Sequence, residues 1–184
     1  MISSEHLQKS IVVEDGRVVR AGRVVPYKIY LPNTQSPSPV VVFSHGLGGN
    51  RDGAEYLLRH LAENGYVTVA VQHPGSDTPS VFGAATENGG IREATTPAVA
   101  TDRFRDIPFA IDELAKMNAG DARLRGKLDM SRLGMSGHSY GAVTTLAEAE
   151  EAREAERLRR RFWEASQDLL AVISLPDGRP RLIN

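Results

Sequence analysis

The stretch Gly137-His138-Ser139-Tyr140-Gly141 decides the fold, because it places a Gly-x-Ser-x-Gly motif between a strand-like segment and a helix-like one. Residues Arg132 to Ser136 predict the strand, and residues Ala142 to Ala147 predict the helix. A strand, a sharp turn and a helix form the context of a nucleophile elbow. Glycine on either side of the serine has no Cβ to clash in so tight a turn. Ser139 is therefore the candidate nucleophile, and the alternative is a plain structural turn.

A second glycine-rich stretch, Ser44-His45-Gly46-Leu47-Gly48-Gly49, follows the short apolar segment from Val40 to Phe43. That apolar run predicts a parallel strand buried on both faces. If Ser139 carries out acyl transfer, a negatively charged oxygen forms and needs hydrogen-bond donors aimed at it. The glycine-rich stretch can supply such a donor from its backbone. The alternatives are a turn that only connects a strand to a helix, and a phosphate loop, against which the absence of a following Lys-Ser/Thr argues.

The segments before the elbow predict an α/β fold. Two runs rich in Val, Ile and Tyr, Ser10 to Val19 and Arg23 to Leu31, predict an antiparallel pair of strands. Apolar residues spaced three and four apart predict a helix over 52–64, with Asn50 as its cap and Gly65 at its end. Tyr66 to Val71 predicts the next strand, and strand, helix and strand in this order predict a right-handed parallel crossover. We therefore expect a mostly parallel sheet flanked by helices.

The remaining segments are less regular. Ser76 to Thr101 has no periodicity and predicts a long loop. A helix is predicted around Phe104 to Leu114, with Pro108 starting or kinking it. A long charged helix is predicted from Tyr140 to about Gln167, and a last buried strand from Leu169 to Leu175.

Composition narrows the classes of function. The chain has 184 residues, a net charge of −1 and no cysteine. This length predicts one domain over residues 1–184. The near-zero charge argues against nucleic acid as a partner, and the absence of cysteine excludes disulfides. No apolar run is long enough for a signal peptide or a membrane span, so we expect a cytoplasmic protein.

Several motifs in order carry a family resemblance. They are His45-Gly46-Leu47-Gly48-Gly49, Arg51-Asp52-Gly53, Gly65-Tyr66, His73-Pro74-Gly75-Ser76-Asp77 and the Ser139 motif. Together they resemble bacterial dienelactone-hydrolase-like α/β-hydrolases, which are related to platelet-activating-factor acetylhydrolases and polyester-cleaving esterases. The resemblance implies hydrolysis of small-molecule carboxylic esters without a cofactor or metal. It also implies Ser139 as the nucleophile and the backbone N–H groups of Leu47 and Tyr140 as the oxyanion-hole donors.

The sequence departs from the family pattern after the elbow. The order of the catalytic triad in this fold is serine, acid, histidine, yet no histidine follows His138. Asp168 and Asp177 follow Ser139, and Asp177 lies just past the last predicted strand, but neither is assigned as the acid of the triad. The later strands of the pattern are absent, so we expect a C-terminally truncated hydrolase with an incomplete proton relay. The alternative is a catalytically silent domain that binds a ligand or a partner. In either case the last strand would be an apolar sheet edge, which predicts pairing into a homo-oligomer.

None of the five histidines is predicted to be a well-placed base for Ser139. His138 lies within the elbow and is expected to point away from the reactive side, and His60 is expected on the outer face of a helix. We expect His45 to support the loop backbone. His73 lies on the rim where ligands gather, and a turn with a satisfied histidine is the favoured interpretation. The place of His6 is left open.

Overall fold

The computed structural model describes residues 10–83, 90–151 and 171–174 of the chain. Within these residues, six strands form one sheet in the order β1-β2-β4-β3-β5-β6. The strands are β1 (Ile11–Arg20), β2 (Arg23–Pro32), β3 (Ser38–Ser44), β4 (Val67–Val71), β5 (Leu128–Gly137) and β6 (Ala171–Ser174). The helices are α1 (Glu55–Glu63), α2 (Thr78–Phe82), α3 (Gly90–Ala94), α4 (Pro97–Gly120) and α5 (Tyr140–Glu151).

The sheet is parallel at its centre and antiparallel at both edges. Strand β3 pairs in parallel with β4 and with β5, which confirms the predicted parallel pairing of the strands before and after α1. Strand β2 runs antiparallel to both β1 and β4, and β6 runs antiparallel to β5. The expected mostly parallel sheet is therefore parallel only over β3, β4 and β5, and the sheet as a whole is mixed.

The first two strands form the predicted hairpin. Arg20 pairs with Arg23 across a two-residue turn in which Ala21 has φ +46° and Gly22 has φ +83°. Two successive positive φ angles produce the turn whose twist matches that of the flanking strands, and glycine tolerates this conformation best.

Helices cover the sheet on both faces. Helix α4 packs Ile107, Ala110 and Leu114 against one face, where side chains of β2 to β5 form the larger core. Helix α1 packs Leu58 against the other face, beside Phe43 of β3. Successive strand residues point to opposite faces, which is why β3, buried at every position except Pro39, supplies both cores. Burying one leucine such as Leu58 stabilises the fold by about 1.5–3 kcal/mol.

The predicted long loop over Ser76 to Thr101 is wrong for most of its length. Helices α2 and α3 and the start of α4 lie within it, and residues 84–89 fall outside the described part. The Asp77 carboxylate accepts a hydrogen bond from the Ser80 N–H, and the Thr96 hydroxyl accepts one from the Val99 N–H. Both caps are followed by proline in the first turn, a strong start signal for a helix.

Other predicted boundaries shifted. Helix α4 begins at Pro97, so Pro108 lies inside it and does not start it. Helix α1 begins after Ala54 and has no side-chain cap, because Asn50 instead accepts a hydrogen bond from the Asp52 N–H in the preceding turn. Beyond Glu151, the predicted long helix lies outside the described residues. Strand β6 occupies the middle of the predicted last strand. No helix in the described ranges is both long enough and apolar enough to cross a membrane.

Candidate active site

Ser139 lies in a strained turn between β5 and α5. Its φ angle is +54°, which is uncommon for a residue with a side chain and often marks a functional site. The Ser139 residue is exposed to solvent. A Cβ on Gly137 would overlap the Gly141 carbonyl, and a Cβ on Gly141 would overlap the Ser44 carbonyl of β3. Both glycines of the motif are thus required by close backbone approaches, as expected for a nucleophile elbow.

The glycine-rich loop after β3 packs directly against this turn. A Cβ added to Gly46 would lie 3.3 Å from the His138 carbonyl oxygen and 3.4 Å from the Ser139 Cβ. The loop is held by its own backbone, since the Gly48 N–H donates to the Ser76 carbonyl and the Gly49 N–H donates to the Gly46 carbonyl. The loop therefore stands beside Ser139 in a fixed conformation.

The two predicted donors belong to the glycine-rich loop and to the start of α5. Leu47 lines the same cavity as Ser139, and Tyr140 is the first residue of α5, directly after it. Within the described residues, neither the Leu47 N–H nor the Tyr140 N–H donates to an acceptor. The first N–H groups of a helix have no partner within the helix and favour a negative charge nearby. Both groups are thus available to a ligand oxygen.

A cavity of about 420 Å³ opens between the loop, α1 and the elbow. Its walls contain no Lys, Arg, Asp or Glu side chain among the described residues. They are formed by Phe43, His45, Gly46, Leu47, Gly48, Gly49, Asn50, Gly53, Ala54, Tyr56, Leu57, His138 and Ser139. Such a surface suits an uncharged group of a ligand, because a charged group would lose hydration here without gaining a counter-ion.

His45 supports the loop, as predicted. Its Nε2 accepts a hydrogen bond from the His73 N–H at 3.1 Å, so the ring proton is on Nδ1 and is donated to the Gly46 carbonyl at 2.6 Å. Burial lowers the pKa of His45 to about 4, and the Arg103 charge adds to this shift. The ring is therefore neutral at physiological pH and holds one tautomer.

His73 is the satisfied histidine that the favoured interpretation predicted. It is fully buried, with Nε2 3.0 Å from the Ser44 Oγ and Nδ1 3.2 Å from an Asp106 carboxylate oxygen. Burial lowers the pKa of His73 to about 3, although its hydrogen bond to Asp106 opposes the shift. Serine, histidine and aspartate are connected here as in a catalytic triad. Ser44 is nevertheless fully buried, so its hydroxyl cannot meet a substrate.

Arg103 and Asp106 of α4 were missed by the sequence reasoning. Both residues are fully buried. Asp106 receives two hydrogen bonds from Arg23, at 2.9 and 2.8 Å. Burial alone would raise the pKa of Asp106, but hydrogen bonds from Arg23 and His73 outweigh it and keep the pKa below its ordinary value. A signal was present, because Arg103 precedes Ile107 by four residues and therefore lies on the apolar face of the helix.

No described residue is in place to take the proton of Ser139. Neither an imidazole nor a carboxylate hydrogen-bonds to the Ser139 hydroxyl within the described ranges. His60 is exposed on α1, as expected. His138 was expected to point away, yet its residue lines the cavity and its Nδ1 lies near Gly46. The bend of the elbow turns it toward the loop. His6, Asp168 and Asp177 lie outside the described residues. The part of the chain that the structure describes contains no group of His, Cys, Asp and Glu side chains that could hold a metal ion.

Comparison with known proteins finds similar sequences among hydrolases. The family model for platelet-activating factor acetylhydrolase, isoform II, matches residues 27–87. A platelet-activating factor acetylhydrolase from Cavia porcellus is 24% identical over an alignment of 182 positions. This alignment covers 83% of this chain and 42% of that protein. The chain thus spans about two-fifths of the length of this curated relative.

Solved structures show the same fold. A ferulic acid esterase from Streptomyces cinnamoneus superposes with a TM-score of 0.63 at 19% identity, covering 79% of this chain and 57% of the other. A putative dienelactone hydrolase from Klebsiella pneumoniae has a TM-score of 0.59 at 21% identity, and the match covers 76% of this chain and 55% of the other. An acetyl xylan esterase from a Paenibacillus species has a TM-score of 0.59 at 26% identity, and the match covers 80% of this chain and 47% of the other. The chain has the α/β-hydrolase fold, and the predicted resemblance is confirmed.

Proposed function

We propose that this chain is a serine esterase domain, in which Ser139 attacks carboxylic esters. The observation that carries the proposal is the turn itself. An exposed serine at φ +54° lines the same cavity as Leu47 and directly precedes Tyr140, and the backbone N–H groups of these two residues have no acceptor among the described residues. A merely structural turn has no need for a strained serine or for two free donors.

The proposed reaction proceeds through an acyl-enzyme. The Ser139 oxygen attacks the acyl carbon of the ester, and the carbonyl oxygen becomes an oxyanion that accepts hydrogen bonds from the Leu47 and Tyr140 N–H groups. Collapse of this intermediate expels the alcohol and leaves the acyl group on Ser139, and attack by water then releases the acid. One such donor contributes about 2.7–4 kcal/mol to transition-state stabilisation in related chemistry.

This mechanism requires an acceptor for the hydroxyl proton of Ser139. Serine is a poor nucleophile unless a base takes its proton, and no described side chain is placed to do so. With the described residues alone, the proton passes to water or hydroxide. We therefore expect slow turnover that rises with pH. The oxyanion donors and substrate binding alone still leave about 10³–10⁴-fold acceleration over water.

The substrate we propose is a small ester with an uncharged acyl group. The cavity beside Ser139 presents no charged side chain among the described residues and has an apolar wall that includes Phe43, Ala54 and Leu57. Similarity to an acetylhydrolase, a ferulic acid esterase and an acetyl xylan esterase supports an ester as the substrate class.

Hydrolysis of p-nitrophenyl acetate tests the proposal. Ser139→Ala should abolish formation of the acetyl-enzyme, detected by the mass of the intact protein after a short incubation, and should lower the hydrolysis rate at least tenfold. Ser131→Ala is the matched control, because Ser131 is an exposed serine on β5, before the elbow, and its hydroxyl donates to Asp129. Hydrolysis by Ser139→Ala at the unmodified rate would contradict the proposal. Absence of any acetyl-enzyme would instead support a catalytically silent binding domain.

A further inference from the structure

A fully buried arginine lies behind the elbow and the glycine-rich loop without a direct carboxylate partner. Arg103 has no measurable solvent exposure, and it makes no ion pair with an acidic side chain in the described residues. Burial lowers the pKa of its guanidinium to about 10, so the group is still charged at neutral pH. Burying a cation costs several kcal/mol unless it is well hydrogen-bonded. Its four acceptors show what this charge holds in place.

The guanidinium of Arg103 connects α4 to three other segments of the chain. Its Nε donates to the Thr144 hydroxyl of α5 at 2.7 Å, and its Nη1 donates to the Ser76 hydroxyl after β4 at 2.9 Å. Its Nη2 donates to the Ser44 hydroxyl at the end of β3, at 2.9 Å, and also to the His45 carbonyl. The planar fork of arginine presents these donors in fixed directions, which a lysine ammonium cannot reproduce.

Two of these contacts lie next to the proposed oxyanion donors. The His45 carbonyl belongs to the peptide that precedes Gly46, one residue before Leu47, so its position limits where the Leu47 N–H can point. Thr144 lies one helical turn after Tyr140 and donates its hydroxyl proton to the Tyr140 carbonyl at 3.0 Å. The guanidinium carbon also lies 4.6 Å from the centre of the Tyr140 ring.

A chain of neutral groups connects this cation to a buried anion. The Ser44 oxygen accepts a hydrogen bond from Arg103, so the Ser44 hydroxyl donates its own hydrogen bond to His73 Nε2. The His73 Nδ1–H then donates a hydrogen bond to the Asp106 carboxylate. Every group in the relay thus has one defined donor direction. Because His73 stays neutral above about pH 3, the relay keeps this order in the physiological range.

We propose that Arg103 is a positioning residue for the oxyanion hole. Its guanidinium holds the His45 carbonyl and the first turn of α5 so that the Leu47 and Tyr140 N–H groups converge on one oxygen. The Ser44–His73–Asp106 relay holds the guanidinium itself in register. The inference rests on the function proposed above and extends it to a residue that does not touch the substrate.

Two neighbouring threonines of α5 give a matched test. Thr144 and Thr145 are both buried, and each donates its hydroxyl to a backbone carbonyl one turn earlier. Only Thr144 also accepts from Arg103. Thr144→Ala and Thr145→Ala therefore remove similar helix contacts but differ in what they do to the guanidinium. Arg103→Lys keeps the charge and removes the fork.

The measurement is the reaction of Ser139 with a fluorophosphonate, resolved into the limiting rate constant kinact and the half-saturating concentration KI. We expect kinact to fall about 3- to 10-fold in Thr144→Ala and about 100-fold in Arg103→Lys, the scale of losing one oxyanion donor, with KI unchanged. Thr145→Ala should keep kinact within about twofold of the unmodified chain, because the Thr145 hydroxyl donates to the Gly141 carbonyl and accepts no hydrogen bond from Arg103 in the described residues. A loss shared equally by the two threonine variants would overturn the inference, as would unchanged kinact in Arg103→Lys. The threonine pair decides the matter if Arg103→Lys does not fold. Absence of labelling in the unmodified chain would overturn the proposed function itself.

Discussion

Acid should destabilise the folded chain through the two neutral histidines behind the loop. Burial lowers the pKa of His45 from 6.5 to about 4 and that of His73 to about 3. In the unfolded chain both rings titrate at their ordinary pKa. Between pH 6.5 and 4 the unfolded state therefore binds protons that the folded state does not bind, and the free energy of unfolding falls as the pH falls.

The size of this effect follows from the two shifts. On lowering the pH from 7 to 5, the unfolded rings become mostly protonated while the folded rings stay neutral, and each histidine removes about 2 kcal/mol of stability. Together the two residues account for about 4 kcal/mol, a large part of the 5–15 kcal/mol typical of a folded domain.

Urea unfolding followed by circular dichroism at both pH values measures this loss. His45→Gln retains an acceptor near the His73 N–H and has no titrating ring, so the difference between the two pH values should shrink by about 2 kcal/mol. His60→Gln, at an exposed position on α1, should leave the difference unchanged. A His45→Gln variant with the same pH difference as the unmodified chain would refute the assignment of a buried neutral ring.

Three further predictions concern packing and assembly. In urea unfolding, Gly141→Ala should lower the free energy of unfolding by at least about 3 kcal/mol, because the added Cβ would overlap a backbone carbonyl of β3. Gly120→Ala, with nothing near the added Cβ, should be neutral or slightly stabilising. Equal effects of the two substitutions would count against the close approach at Gly141. Arg23→Met should lower the free energy of unfolding by about 3 kcal/mol, because it removes a partner that donates two hydrogen bonds to buried Asp106. Lys116→Met, whose ion pair with Glu113 is on the surface, should lower it by less than about 0.5 kcal/mol. A small loss in Arg23→Met would argue against the buried pair. Strand β6 ends the described sheet, so we expect concentration-dependent self-association in light scattering, and a monomer at every concentration would be the contrary result.

Local signals in the sequence were sufficient for the framework of the site. The β1–β2 hairpin follows from two runs of strand-forming residues around Ala21 and Gly22, and the elbow follows from the two glycines that flank Ser139. These features are local, because the residues that cause them are adjacent in the chain. The placement of the glycine-rich loop was predictable for the same reason, since it directly follows an apolar strand.

Features that depend on distant contacts were not predictable. Helices α2 and α3 and the start of α4 were missed because the composition of this segment outweighed two short capping signals, at Asp77 and Thr96, each followed within two residues by proline. The role of Arg103 depends on four acceptors from three segments that only the folded chain brings together. The antiparallel direction of β6 has no local signal either, because pairing with β5 sets it.

Mass mapping of a fluorophosphonate adduct tests the central claim most directly. The unmodified chain, treated with the probe and digested, should carry one adduct on the peptide that contains Ser139, and Ser139→Ala should carry none. An adduct on another serine, or none at any pH from neutral to mildly alkaline, would contradict the claim that position 139 presents a reactive hydroxyl to two backbone donors.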